Sequence, residues 1–88
     1  MVEFDSLVNN KIGMHLRAAG EFVKLANKFS SEITVIKNGK KANGKSILGL
    51  ASLAVGAGAT ITIRIEGTDE LAAKEALKEL IDQNFYEE

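Results

Sequence analysis

Residues 60–66 alternate strictly between isoleucine and polar side chains. Ile61, Ile63 and Ile65 occupy the odd positions, and threonine, arginine and glutamate occupy the even ones. Because successive side chains of a β-strand point to opposite faces, this pattern predicts a strand that is apolar on one face only. A sheet built around such a strand keeps one face in water and covers the other with helices. The alternation therefore favours a two-layer α+β domain.

The remaining patterns supply the other elements of such a domain. They predict strands at residues 2–8, 33–36 and 40–42, helices at residues 16–28 and 47–53, and a last helix that Thr68 or Asp69 caps and that extends to Ile81. The dipeptide Asn38-Gly39 is typical of a tight hairpin turn, and Ser46 is a natural N-cap for the short middle helix. The order β, α, β, β, α, β, α in 88 residues predicts a single domain over residues 1–88, with four strands and the helices on one face.

Apolar side chains at helical spacing predict which face of each long helix is buried. In the first helix this stripe consists of Leu16, Ala19, Phe22, Val23, Ala26 and Phe29. In the last helix it consists of Leu71, Ala72, Ala76, Leu77, Leu80 and Ile81. These two stripes and the isoleucines of residues 60–66 form the predicted core.

The composition excludes several classes of function. The formal net charge is −1, so the chain lacks the overall basic field of a general nucleic-acid binder. It has no cysteine and one histidine, which excludes disulfides, thiolate zinc sites and histidine-rich metal sites within one chain. We therefore expect neither a metal nor a cofactor. Residues 1–6 lack the pattern of a secretion signal, and no apolar stretch approaches the ~20 residues of a membrane span, so we expect a cytoplasmic protein without membrane insertion.

The one histidine, His15, lies immediately before the first predicted helix. Neutral imidazole is a nucleophile near neutral pH, and the free N–H groups of a first helical turn favour a phosphate group nearby. Arg17, two residues later, can add a charge-assisted hydrogen bond to such a phosphate. The alternative is that His15 is only a polar residue of a surface loop. The position thus indicates phosphoryl chemistry without establishing it.

Three segments of the chain resemble the HPr family, the histidine-containing phosphocarriers of the bacterial phosphoenolpyruvate-dependent phosphotransferase system. They are residues 13–19 around the histidine, residues 45–50 (KSILGL) and residues 66–70 (EGTDE). The resemblance spans essentially the whole chain and implies an open-faced β-sandwich of four antiparallel strands and three helices. It also implies that His15 carries a phosphoryl group on Nδ1, received from enzyme I and passed to enzyme IIA domains, while Arg17 contacts the phosphate.

The histidine segment departs from the usual family pattern Gly, Leu, His, Ala, Arg, Pro, Ala at three positions. Met14 replaces leucine, Leu16 replaces a small residue, and Ala18 replaces proline. Alanine is a strong helix former, so the helix is expected to remain while its start loses some rigidity. Leu16 either narrows access to the histidine or enlarges an apolar docking surface. No reacting group is removed, so the roles of His15 and Arg17 are retained.

Ser46 has two interpretations that are compatible with each other. One is the N-cap of the short helix, and the other is regulatory phosphorylation by an HPr kinase/phosphorylase, which the resemblance implies for family members with this serine. A phosphate at a helix N-terminus is locally favoured, yet it places negative charge in the docking surface of a partner. Phosphorylation is therefore expected to block binding without refolding the domain.

Partner docking is expected to use exposed apolar residues surrounded by basic ones, because apolar contacts supply affinity and charges steer an acidic partner. The candidates are Leu16, Gly20, Ile47, Leu48 and Ala51, with Arg17, Lys24 and Lys45 at the rim. One of Ile47 and Leu48 is alternatively expected to be partly core. The lysines at positions 37, 40, 41 and 45 are interpreted as solubilising and edge-protecting residues of a hairpin.

Three functions remain at this point. The first is a monomeric phosphocarrier, serving either sugar uptake or a nitrogen-related branch of the same relay. The second is a regulatory binding protein that acts through Ser46 while His15 is idle. The third, nucleic-acid binding through the lysines, lacks an aromatic stacking platform and has the wrong overall charge. His15 and Arg17 favour the first.

Overall fold

A computed structural model describes residues 1–86 and forms a four-stranded antiparallel sheet with three helices. The strands are β1 (Val2–Leu7), β2 (Glu32–Lys37), β3 (Lys40–Asn43) and β4 (Thr60–Glu66), in the spatial order β1-β4-β2-β3. The helices are α1 (Leu16–Ala26), α2 (Ile47–Ser52) and α3 (Glu70–Asp82), followed by a single 3₁₀ turn at Asn84–Tyr86. The predicted α+β open-faced sandwich is confirmed.

Strand β4 lies inside the sheet between β1 and β2, and its alternation has the predicted consequence. Ile61, Ile63 and Ile65 are completely buried beneath the helices. On the opposite face, Thr62 donates a hydrogen bond to the carboxylate of Asp5 at 2.7 Å, across the β1–β4 pair. The sheet therefore has one covered face and one polar face.

The turn between β2 and β3 also follows from the sequence. Asn38 and Gly39 both have positive φ angles, of 50° and 82°. Two such residues in succession form the turn whose twist matches that of paired strands, and Asn and Gly adopt it most easily. The predicted hairpin is confirmed.

The apolar stripe of each long helix is partly wrong in register. Leu16 and Leu71 are 66% and 67% exposed, whereas Ala18 and Ala73 are completely buried. At 3.6 residues per turn, Leu71 lies about 180° around α3 from the buried Leu80 and so points away from the core, and Leu16 is the first residue of α1. Ala72 is likewise exposed. Ala18 and Ala73 therefore supply small side chains to the buried side of their helices.

The helices end one or two residues away from the predicted positions, and one predicted cap makes a different contact. Helix α1 ends at Ala26, two residues early, because Asn27 forms the C-cap and its side-chain amide donates to the carbonyl of Val23 at 3.0 Å. Asp69 occupies the N-cap position of α3, as one of the two predicted candidates, but its side chain makes no cap hydrogen bond to that helix. Its carboxylate accepts hydrogen bonds from the amides of Ser30 and Ser31 in a distant loop instead.

Within residues 1–86, no helix has the length and apolar character needed to cross a membrane. The longest, α3, contains 13 residues.

Candidate functional site

Backbone hydrogen bonds hold the loop that carries His15 against the segment between α2 and β4. The amide of Val8 donates to the carbonyl of Ala59 at 2.8 Å, and the amide of Gly58 donates back to Val8 at 2.7 Å. Nearer the histidine, the amide of Met14 donates to the carbonyl of Val55 at 2.9 Å. The side chain of Met14 is buried, so this position, apolar as in the family pattern, serves packing. The loop therefore enters α1 at a defined place.

Gly13 is required by this close approach. Its φ angle is +79°, and a Cβ atom at this position would lie 2.5 Å from the carbonyl oxygen of Val55. The amide of the Asn10 side chain donates to the carbonyl of Gly13 at 2.7 Å and supports the same turn. The conformation of the loop is thus set two residues before the histidine.

His15 is the N-cap of α1. Its backbone is extended, with φ −73° and ψ −179°, and its Nδ1 accepts a hydrogen bond from the amide of Arg17 at 3.2 Å. The amide of Ala19 donates to the carbonyl of His15 at 2.8 Å, which is the first hydrogen bond of the helix. Because Nδ1 accepts a hydrogen bond here, it is the unprotonated ring nitrogen, and its lone pair faces the first helical turn. The nucleophilic nitrogen therefore already lies where the helix favours an anion.

Arg17 is exposed and lines a groove of about 720 Å³ beside the histidine loop. The other lining residues are Asn9, Asn10, Lys11, Ile12, Asn84 and Tyr86. The volume greatly exceeds that of a phosphate group, so the groove leaves room for part of a partner protein. Lys11 places a second positive charge along the same groove.

The second predicted site residue, Ser46, is the N-cap of α2. Its backbone is extended, and its hydroxyl oxygen accepts a hydrogen bond from the amide of Gly49 at 3.0 Å. A Cβ atom on Gly49 would lie 3.2 Å from that oxygen, so a larger residue there would crowd the serine. The predicted N-cap role of Ser46 is confirmed.

The apolar docking candidates lie on α1 and α2, two helices that pack against each other. We call Leu16, Gly20, Ile47, Leu48 and Ala51 the docking surface. Leu48 is 81% exposed and Ile47 is 40% exposed, so neither is a core residue, and Leu50 supplies the buried side chain of α2 instead. A Cβ atom on Gly20 would meet no other atom within 4 Å, so α1 is open there.

The basic candidates are arranged less uniformly. Arg17 and Lys24 are exposed on α1, as a rim requires. Lys45 is half-buried, and its ammonium group donates to the carbonyl of Phe29 at 2.6 Å. This contact ties the start of α2 to the loop after α1, so Lys45 has a structural partner in addition to any role in docking.

Sequence reasoning missed Ile12 as a member of this region. Its side chain is 70% exposed and lines the groove that contains Arg17. The sequence does contain a signal for such an exposed apolar contact. The isoleucine lies in a loop, has a lysine and a glycine as neighbours, and belongs to no strand or helix pattern.

Among residues 1–86, no three His, Cys, Asp or Glu side chains lie close enough together to hold a metal ion. The chemistry available at this site is that of the imidazole, the guanidinium and the helix amides.

Comparison with known proteins agrees with this geometry. The family model described as "PTS HPr component phosphorylation site" matches residues 2–83. The HPr-like protein Crh of Halalkalibacterium halodurans is 52% identical over 83 residues, covering 94% of this chain and 99% of that protein. The phosphocarrier protein HPr of Xylella fastidiosa is 41% identical over 88 residues, covering all of this chain and 99% of that one.

The fold agrees equally well with a solved structure. The crystal structure of HPr from Thermoanaerobacter tengcongensis superimposes with a TM-score of 0.96 at 46% sequence identity. The match covers 100% of this chain and 99% of that one. Sequence and architecture thus point to the same family over the full length.

Proposed function

This chain belongs to the HPr family of phosphotransferase-system phosphocarriers, and we propose that its His15 accepts a phosphoryl group from phosphorylated enzyme I and passes it to enzyme IIA domains. The observation that carries this proposal is the hydrogen bond from the Arg17 amide to Nδ1 of His15. It directs the lone pair of Nδ1 at the start of α1. A phosphoryl group bound to that nitrogen lies at the positive end of the helix.

The transfer is a displacement between two imidazoles. The lone pair of Nδ1 forms a new N–P bond, the N–P bond of the donor phosphohistidine breaks, and the donor nitrogen keeps the bonding electron pair. No proton has to leave Nδ1, because that nitrogen is already unprotonated. The Arg17 amide then donates to a phosphoryl oxygen instead of to the ring nitrogen. In the transfer to enzyme IIA, the phosphorylated His15 is the donor. A nitrogen of the enzyme IIA histidine forms the new N–P bond, and the N–P bond to His15 breaks.

Positioning and electrostatics supply the stabilisation of the transition state. Charge spreads over the three phosphoryl oxygens, and the amides of Leu16, Arg17 and Ala18 precede the helix's own hydrogen-bond ladder, which begins at Ala19. The Arg17 guanidinium adds a positive charge that remains at any physiological pH. These groups stabilise the charge of a phosphoryl group without hydrolysing it, which is what a carrier requires.

The docking surface supports the same assignment. Leu16, Leu48 and Ala51 expose apolar atoms on the two neighbouring helices whose N-caps are His15 and Ser46. A group of exposed apolar side chains on neighbouring elements is typical of a protein–protein interaction site. Leu16, which replaces a small residue of the family pattern, enlarges this surface beside the histidine.

The decisive experiment is phosphorylation in a purified system. The protein is incubated with phosphoenolpyruvate and a competent enzyme I, and its intact mass is measured alongside that of His15→Ala. We expect an acid-labile gain of one phosphoryl group that is absent in the variant. If enzyme I phosphorylates another carrier in the same reaction but not this chain, the carrier assignment is wrong. Adding an enzyme IIA domain should then discharge the phosphorylated protein.

A second proposed function is regulation at Ser46. Its hydroxyl faces the start of α2, and the adjacent Ile47 and Leu48 belong to the docking surface, so a phosphate there adds negative charge where partners bind. An HPr kinase/phosphorylase with ATP should add an acid-stable phosphoryl group that Ser46→Ala lacks. Ser46→Asp should slow transfer from enzyme I while leaving His15 able to react, and equal transfer rates would count against the regulation.

The similarity to an HPr-like protein Crh supports keeping a purely regulatory function as the alternative. In that case the kinase modifies Ser46 while enzyme I leaves His15 unmodified. We further propose that the carrier works as a cytoplasmic monomer. Sedimentation equilibrium at micromolar concentration should return the mass of one 9.5 kDa chain, and a mass twice as large would refute this.

A further inference from the structure

Lys37 differs from the other lysines of the β2–β3 hairpin. Its ammonium group donates hydrogen bonds to the carbonyl of Ala54 at 2.7 Å and to that of Leu53 at 3.3 Å. Its side chain is half-buried, whereas Lys40 and Lys41 are exposed. The contact joins the end of β2 to the end of α2, which lie 16 and 17 residues apart in sequence.

The alternation along β2 explains why Lys37 reaches this place. Ile33 and Val35 point to the buried face of the sheet, and Lys37 is the next residue of the same series. It therefore points toward the helices and not toward the polar face. Because it is the last residue of the strand, its long stem runs along the edge of the core while the ammonium reaches the backbone beyond α2.

The end of α2 needs such a partner. After the C-cap Leu53, the chain turns through Ala54, whose φ angle is +52°. Glycine is the usual residue at this position of a helix end, since a Cβ atom makes the left-handed conformation costly. The carbonyls at a helix C-terminus also lack partners within the helix and carry its negative end. The Lys37 ammonium binds the carbonyl of the C-cap Leu53 and that of Ala54 just beyond it, and so places a positive charge at this negative end.

Helix α2 has only six residues and does not form a stable helix without tertiary contacts. Ser46 caps its first turn, and Lys37 holds its last. We propose that Lys37 is a positioning residue that keeps α2, and with it Ile47, Leu48 and Ala51, in the geometry that partner proteins recognise. This inference rests on the proposed use of the docking surface by enzyme I.

Local stability provides the first test. Lys37→Met keeps the apolar stem and removes the ammonium, and Lys40→Met is the matched control, because Lys40 pairs with Lys37 across the hairpin and is exposed. In Lys37→Met we expect the amides of Leu50, Leu53 and Ala54 to exchange with deuterium about 5- to 10-fold faster, while β4 amides are unchanged. Equal exchange in both variants would overturn the proposal.

Transfer kinetics provide the second test, which a purely structural role would not affect. With phosphorylated enzyme I, Lys37→Met should raise KM for the carrier about 3- to 10-fold and leave kcat unchanged, because His15 and Arg17 lie on a different helix. Lys37→Arg should restore KM, since a donor again reaches the carbonyls. Ala54→Gly in the Lys37→Met background should restore it in part, because glycine adopts the left-handed conformation easily.

Faster exchange with an unchanged KM would refute the role in docking, and a KM that rises as much in Lys40→Met would identify a charge effect and refute it too. Failure of the carrier function itself looks different. In that case the unmodified protein takes no phosphoryl group from an active enzyme I, whereas failure of the present inference leaves it active and Lys37→Met equal to Lys40→Met.

Discussion

The N-termini of α1 and α3 place a polar side chain at the same helical position and use it in opposite ways. His15 turns back onto its own helix, where Nδ1 accepts the amide of Arg17. Asp69 turns away from its helix and accepts hydrogen bonds from the amides of Ser30 and Ser31, at 2.8 and 3.0 Å, and from the Ser31 hydroxyl. The first arrangement holds the imidazole at the start of its own helix, and the second joins that helix start to a distant loop.

The backbone before each helix shows the same division. Gly13 precedes α1, and a Cβ there would collide with the backbone of Val55 and Gly56, which holds the histidine loop in place. Gly67 precedes α3, and a Cβ there would lie 2.6 Å from the Cα of Ser31, the residue that Asp69 binds. Each glycine thus allows the close approach that its helix start depends on. A glycine in close contact with the backbone thus positions the histidine loop before α1, and a second glycine allows two loops to pack together before α3.

Among the substitutions that test this difference between the two helix starts, His15→Asn should have the largest effect. Asparagine is a good N-cap and can accept the Arg17 amide, but it has no ring nitrogen to phosphorylate. We expect complete loss of phosphoryl transfer, while the free energy of unfolding stays the same or rises by up to about 1 kcal/mol. Mass spectrometry and urea unfolding measure the two quantities. A large loss of stability would mean that the folding of α1 depends on the imidazole. That result would contradict the difference between the N-cap side chains of α1 and α3.

Gly13→Ala should cause the largest loss of stability. The added Cβ meets a carbonyl oxygen 2.5 Å away, and the φ angle of +79° is unfavourable for alanine. We expect the free energy of unfolding to fall by about 2–4 kcal/mol. Gly56→Ala is the matched control, since its Cβ would meet nothing within 4 Å. Urea unfolding measures both effects. If they are equal, the close contact between Gly13 and Val55 can relax at little cost in stability.

Asp69→Asn should weaken the contact between the start of α3 and the loop at Ser30 and Ser31, and should leave phosphoryl transfer at His15 unchanged. Hydrogen bonds from the Ser31 hydroxyl and the Ser30 amide lower the pKa of Asp69 from its usual 3.8 to about 2. The ionised form is therefore the one that the fold favours. Its contribution to stability is complete above about pH 4 and is lost as the pH falls from about 4 to 2.

The difference in urea midpoint between the unmodified protein and Asp69→Asn should accordingly be constant from pH 5 to 7 and shrink toward pH 2. Glu75→Gln, an exposed substitution on the same helix, is the control. A difference that stays constant down to pH 2 would mean that the carboxylate charge is irrelevant to the contact.

Gly20→Ala should give the smallest effect, and one of opposite sign. Gly20 lies in the middle of α1, where a Cβ would meet no atom, so alanine should raise the free energy of unfolding by about 0.5–1 kcal/mol. Thermal unfolding measures this gain. If KM with enzyme I also rises, Gly20 belongs to the docking contact and is kept small for it; a loss of stability would contradict the open space around it.

Elements whose pattern depends on neighbouring residues were predictable. The alternation of residues 60–66, the Asn38-Gly39 turn and the Ser46 cap all involve residues within a few positions of each other. The location of His15 at the start of α1 was predictable for the same reason. The roles of His15 and Arg17 in transfer, and of Ser46 in regulation, stay predictions until the experiments above are done.

Features that depend on distant partners were predicted less well. Asp69 was expected to cap its own helix, but Ser30 and Ser31, 39 and 38 residues away, offer three donors together. Leu16 and Leu71 are apolar and were assigned to the buried stripes, yet both are largely exposed in the structure. Lys37 was interpreted as a solubilising lysine, and only the position of α2 reveals its carbonyl partners.

By itself, the sequence determined the class of fold and the position of His15 at the start of a helix, because strand periodicity, turn chemistry and helix caps act over a few residues. The tertiary structure alone decided which polar side chains serve their own helix and which join separate elements. The physical reason is competition. A side chain such as that of Asp69 or Lys37 has both local and distant partners, and it binds where packing of the sheet and helices places the larger number of hydrogen-bond partners.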